Sequence, residues 1–181
     1  MEEVEGLTEN SEETIQERAH EGPHWSSWVA LTTAILAAMA AVAAFLSGHN
    51  ETEAMLHQLA ASDQWSYYQA KGIKSAVTEA RADIFTVTGK PVDPAIAEKI
   101  ARYAAEQDQI KEKAADFEKE RDIELGRHET FSKGVILFQV AIAVGAIAIL
   151  MKKRRYWAVS LAFGLGGILF LVLGLLQYLK H

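Results

Sequence analysis

The sequence contains no cysteine, which excludes disulfides, thiolate metal sites and a cysteine nucleophile while leaving the compartment open. It also lacks a clustered basic face with interleaved aromatics. With a formal net charge of −6, that argues against nucleic acid as a partner. Enzyme signatures are missing. No serine lies in a Gly-x-Ser-x-Gly elbow, no glycine-rich phosphate loop precedes a lysine, and no His-Glu-x-x-His helix occurs. The group Gly164-Leu165-Gly166-Gly167 falls inside an apolar run, where close helix packing explains it better than a nucleotide does. No enzymatic activity and no cofactor are expected.

The most informative absence is local. Residues 25–46, 134–151 and 156–179 hold 22, 18 and 24 residues without a single Asp, Glu, Lys, Arg or His. At about 1.5 Å of rise per residue, each can cross a hydrocarbon core about 30 Å thick. Three transmembrane helices are therefore expected, and the lack of ionisable groups within them argues against a coupled transporter. The fold class expected is all-α: an integral membrane protein whose first and second spans are separated by a long antiparallel coiled-coil hairpin over residues 47–133.

Residues 1–24 carry eight Glu and one Arg and cannot bury enough apolar surface to offset the entropy of ordering. A disordered acidic tail is expected, either a docking segment or simply a solvated terminus, with Asn10 and Glu13 at capping-box spacing. The acidic lead-in and the length of the first apolar run argue against a cleaved signal peptide. The first span is rich in alanine, as suits close helix approach in lipid, and Trp25 and Trp28 sit where interfacial anchors belong. Ser47-Gly48, followed by Asn50 and Glu53 at capping-box spacing, predicts a helix break and a kink.

Within the hairpin a seam with alternating steps of three and four runs through Leu56, Leu59, Asp63, Ser66, Ala70, Ile73, Val77, Ala80 and Ile84. It resumes through Ile96, Ile100, Tyr103, Gln107, Ile110, Ala114, Phe117, Arg121 and Glu124, the coiled-coil period. A turn is predicted near 86–93: Gly89 ends a helix, Pro91 cannot continue it, and Asp93-Pro94 gives an N-cap followed by proline at the first helical position. Antiparallel arms then place Val77 against Tyr103 and Ala70 against Ile110. The same register brings Asp63 within about one turn of Arg121, where the two either pair to fix the alignment or reach water separately.

A second stripe, Ala61, Trp65, Tyr68, Gly72 and Ala76, cannot face the same partner as the seam, so further helices, most economically other copies of the chain, are expected to cover it. His49, Glu53 and His57 recur every four residues, and Glu124 and His128 approach them in the antiparallel register. Imidazole and carboxylate from facing helices can hold a divalent metal, although the same spacing is common on helix surfaces and no metal cofactor is assigned. In the second span Gln139 bonds either across helices or to a nearby carbonyl.

The basic loop at 152–155, followed by Tyr156-Trp157, marks a membrane interface. By the positive-inside rule it places the loop in the cytoplasm and the hairpin outside. Lys119, Arg121, Arg127 and Lys133 flank the other end of the second span, but long segments cross largely regardless of charge.

The run Ser62-Asp63-Gln64-Trp65-Ser66-Tyr67-Tyr68-Gln69-Ala70-Lys71, following the small-residue span, resembles a family of bacterial membrane proteins known only as domain of unknown function 4337. The resemblance covers most of the chain beyond the tail. It implies a bacterial inner (cytoplasmic) membrane protein of this layout and supplies no activity or catalytic residues. Trp65, Tyr67 and Tyr68 are most simply packing anchors, a ligand-binding role being the other reading. The expected function is a non-enzymatic, homo-oligomeric scaffold in the lipid bilayer, with a possible protein partner at the stalk. The alternative is a small oligomeric channel or channel accessory subunit lined by Ser26, Ser27, Thr32 and Thr33.

Overall fold

The computed structural model describes residues 24–179; the expectations for the acidic tail, including the Asn10–Glu13 cap, lie outside them. The described chain is all helical, with α1 spanning His24–Val87, α2 spanning Pro94–Met151 and α3 spanning Arg154–Leu179. Each contains an apolar stretch long enough to cross a membrane. The described residues form two compact units, one made of residues 24–45 and 130–179, the other of Leu46–Glu129.

The first unit packs parts of all three helices around Leu36, Ala40, Ala43, Phe138 and Ala141. Glycine makes the helix approaches possible. A Cβ on Gly167 would lie 2.7 Å from the Phe138 ring and one on Gly174 2.6 Å from Phe131, and both rings are fully buried. Polar groups are satisfied locally, as an apolar surrounding requires. Ser160 donates to the Ala141 carbonyl at 2.6 Å, Trp157 Nε1 to Thr32 Oγ1 at 3.2 Å, and Gln177 to Thr130 at 3.2 Å. Gln139, expected to bond across helices or to a carbonyl, is instead exposed on the outside of the unit.

The predicted break at Ser47-Gly48 is not present. The α1 hydrogen-bond ladder passes through it, and Asn50 is a fully buried interior residue whose side chain donates to the Leu46 carbonyl four residues back, at 2.6 Å. An Asn that bonds backwards in this way competes with capping instead of providing it. The turn at the far end follows its sequence signals closely. Lys90 N–H donates to the Phe85 carbonyl and Gly89 N–H to that of Thr86, with Gly89 at φ 68°, the paired bonds of a Schellman ending. Asp93 then caps α2, its carboxylate accepting from Ala95 N–H at 2.9 Å. Helix α2 ends in the same bond pattern, but its left-handed position is occupied by Lys152, φ 52°.

In the second unit α2 buries the row read from its sequence: Ile96, Ile110 and Ala114 are buried and the intervening Ile100, Tyr103, Gln107, Phe117, Arg121 and Glu124 half-buried. On α1 the expected seam is wrong by about half a turn. Leu56, Leu59, Ile73, Val77 and Ile84 are 55–66% exposed, while Ser47, Asn50, Ala54, Ala61 and Ser75 are buried. Half-buried His57, Gln64, Tyr68, Lys71, Thr78, Ala82 and Phe85 complete the inward row. Two residues separate the rows, which at 100° per residue is about 200° around the helix. The inward row has small residues because they let two helix backbones approach, and that outweighed the burial of larger aliphatics on the opposite face.

Candidate functional site

The aromatic run beginning at Ser62 meets α2 through polar and ring contacts. Trp65 faces α2 and donates its indole N–H to Glu118 Oε1 at 2.8 Å, while its ring stands edge-on to Tyr68, 5.6 Å between centroids. One turn further, Lys71 forms an ion pair with Glu106 and lies over two rings, 5.2 Å from the centre of Tyr67 and 5.3 Å from that of Tyr103. Gln107 donates to the Tyr68 carbonyl, a long contact at 3.5 Å, and its amide nitrogen would be only 3.0 Å from a Cβ on Gly72. Arg102 flanks the pair, 3.6 Å from the other Glu106 oxygen.

The electrostatics follow from these contacts. The hydrogen bond to Glu106, and then that to Tyr67, raises the Lys71 ammonium above its ordinary value. The same bond to Lys71 lowers the Glu106 carboxyl, with Arg102 and Lys74 adding smaller favourable fields. An ammonium held between two aromatic faces and a carboxylate keeps its charge and fixes the rings. Such an arrangement aligns two helices; its cation and carboxylate are committed to each other.

The other residues singled out from sequence are placed apart. Asp63 is exposed on the outward row, and among the described residues it forms no ion pair. Arg121 donates instead to Gln58 at 2.5 Å and to Asp122 at 2.8 Å. The metal candidates do not converge: no group of three or more His, Asp or Glu among the described residues is placed to hold an ion. His57 approaches Glu120 at 3.2 Å, Glu124 pairs with Arg127 at 2.5 Å, and His128 Nδ1 meets the Ser47 carbonyl at 3.0 Å. His49 is exposed and Glu53 half-buried.

An open groove of about 670 Å³ lies in the second unit, lined by Met55, Leu56, Leu59 and Leu125 together with Glu51 and Arg121. Sequence reading missed it because it assigned Leu56 and Leu59 to the inward face. The signal that could have placed them outside is the seven-residue ladder Ala40, Ser47, Ala54, Ala61, Tyr68, Ser75, Ala82, alanine or serine at six of its seven positions with Tyr68 the exception, and alternating with Leu36, Ala43, Asn50 and His57.

No curated protein and no solved structure matches the chain. A family described as "Domain of unknown function (DUF4337)" matches residues 25–177, a stretch that reaches from the start of α1 to the last turn of α3. The chain belongs to that family.

Proposed function

We propose that this protein is a non-enzymatic, membrane-anchored scaffold that self-associates and presents a coiled-coil stalk. Residues 25–46, 134–151 and 156–179 cross a bacterial inner membrane, the basic loop at 152–155 faces the cytoplasm, and the stalk projects on its far side. The observation that carries this reading is the outward row of α1: large aliphatic side chains, more than half exposed, on a helix segment outside the charge-free runs and interspersed with Glu51, Glu53, Asp63, Lys74 and Arg81. Exposed apolar surface of this extent marks a contact with another molecule. The polar groups brought together in the stalk support a positioning role, since they meet as helix-to-helix pairs: Lys71 with Glu106 and Trp65 with Glu118.

A channel has weaker support. Thr33 donates to the Val29 carbonyl at 2.7 Å, and Thr32 donates within its own helix while accepting from Trp157, so these hydroxyls are engaged in packing. The mass of the full chain in detergent micelles tests the scaffold reading. An oligomer is expected, and a monomer at all concentrations overturns it. Conductance in planar bilayers tests the other: reproducible openings altered by Thr33→Val would replace the scaffold with a channel.

A further inference from the structure

The outward row of α1 is regular beyond the stalk. From Leu56 it continues through Leu59, Ile73, Val77, Ile84 and Val87, all 55–87% exposed, whereas on the facing stretch of α2 Leu125 is the exposed large hydrophobic among the described residues. Followed backwards with the same alternating steps, it passes Thr52 and His49 to Phe45, Val42, Ile35, Leu31 and Trp28, again all exposed.

We infer that this row is the contact between two parallel copies of the chain in one membrane, α1 against α1; the inference rests on the self-association proposed above and names its face and direction. A second copy inserted the same way presents the same row at the same height from Leu56 to Val87. A straight helix drifts about 20° per heptad from a seven-residue repeat, so a phase held this long follows a supercoiling helix, not a flat lipid surface. From Leu56 to Val87 the row is about 46 Å long. Its large side chains offer on the order of 100 Å² each, approaching the roughly 800 Å² per partner of a standard interface.

The charges at its rim are compatible with parallel pairing. Residues one before and one after the row would meet five apart in number, placing Gln69 by Lys74 and Ala76 by Arg81 of the second copy, so no like charges oppose each other. One layer is unfavourable: Asp63 would meet the second copy's Asp63, next to Ser66. A polar layer of this kind weakens a coiled coil while fixing its register, which predicts that Asp63→Leu tightens association.

The absence of cysteine makes the test direct. Leu59→Cys, Ile73→Cys and Ile84→Cys, each alone in the full chain in its membrane, should oxidise to covalent dimers at least about tenfold faster than exposed Lys111→Cys on α2, because parallel pairing sets each residue opposite itself. Ile73→Glu with Val77→Glu should weaken association by about a hundredfold or more. Cross-linking no faster than at position 111 overturns the inference. So does Leu59→Cys joining only to Ile84→Cys, which would mean antiparallel pairing, or protection of position 73 by lipid alone. An oligomeric wild type without these cross-links refutes the interface and leaves the scaffold standing; a monomeric wild type refutes both.

Discussion

Adding one methyl group should have opposite effects at different glycines. In Gly167→Ala the new Cβ would lie 2.7 Å from two carbons of the Phe138 ring, and that ring is fully buried, with nowhere to swing. Overpacking of this kind costs about 1–3 kcal/mol. Alanine recovers about 0.5–1 kcal/mol of helix propensity, leaving a net loss of roughly 0–2.5 kcal/mol by those two terms, about 1 kcal/mol at mid-range. Gly166→Ala, one residue away, meets only the tip of Leu137 at 3.3 Å, and a flexible methyl can yield, so that variant should be within about 0.5 kcal/mol of wild type. At Gly48 nothing lies within 4 Å and the residue is inside a helix, so alanine should stabilise its own unit by about 0.5–1 kcal/mol. Reversible unfolding in mixed micelles with increasing denaturing detergent, followed by helical circular dichroism, would rank the three. Gly167→Ala unfolding no earlier than Gly166→Ala would refute the close α2–α3 approach on which the magnitudes rest.

The Lys71–Glu106 pair gives a pH dependence with two limbs. Glu106, lowered from 4.5 by Lys71, contributes stability above that value and loses it as pH falls through its depressed folded value. Lys71, raised from 10.5 by Glu106, contributes below that value and loses it as pH rises through its elevated one. Denaturant midpoints of the wild type should therefore be highest between these limits, and Glu106→Gln should flatten the acid limb; an unchanged acid limb would show that the pair does not couple folding to pH. Lys152→Gly should stabilise the α2–α3 turn by about 1 kcal/mol, because a left-handed backbone is strained for a residue with a Cβ; no gain in thermal midpoint would count against the left-handed turn. Trp65→Phe keeps the ring but removes the donor to Glu118, and should cost about 1 kcal/mol in denaturant unfolding.

Much of the architecture was legible because its signals are local. Charge-free runs located the apolar stretches, and Gly89, Pro91 and Asp93-Pro94 located the turn that the backbone bonds then bear out. The buried row of α2 was legible too, since there Ile96, Ile110 and Ala114 stand among charged neighbours. On α1 the two rows share one period, so periodicity could not choose between them, and preference for large aliphatics chose the outer one. The shift has two consequences. Of the two alternatives for Asp63 and Arg121, pairing is lost, since Asp63 stands exposed on the outward row; and the aromatic run, expected as a second stripe covered by other helices, supplies Trp65 and Tyr68 to the α2 side. Asn50 was misread for another reason: capping-box spacing is the same whether the residue begins a helix or bonds back within one, and only the ladder through Gly48 distinguishes them.

The inward ladder of α1 restricts how the helix pair of the second unit can change in length over evolutionary time. Inserting a single residue just before Ala61 would turn everything beyond it by about 100°, presenting Asp63, Lys74 and Arg81 to α2 where Gln64, Ser75 and Ala82 now stand. Inserting seven, matched by seven on α2, would preserve every pairing and lengthen the helix pair by about 10 Å. Relatives in which this helix pair is longer or shorter should therefore differ by paired multiples of seven, and a length-altered variant designed otherwise should lose the Lys71–Glu106 pair before it loses helix.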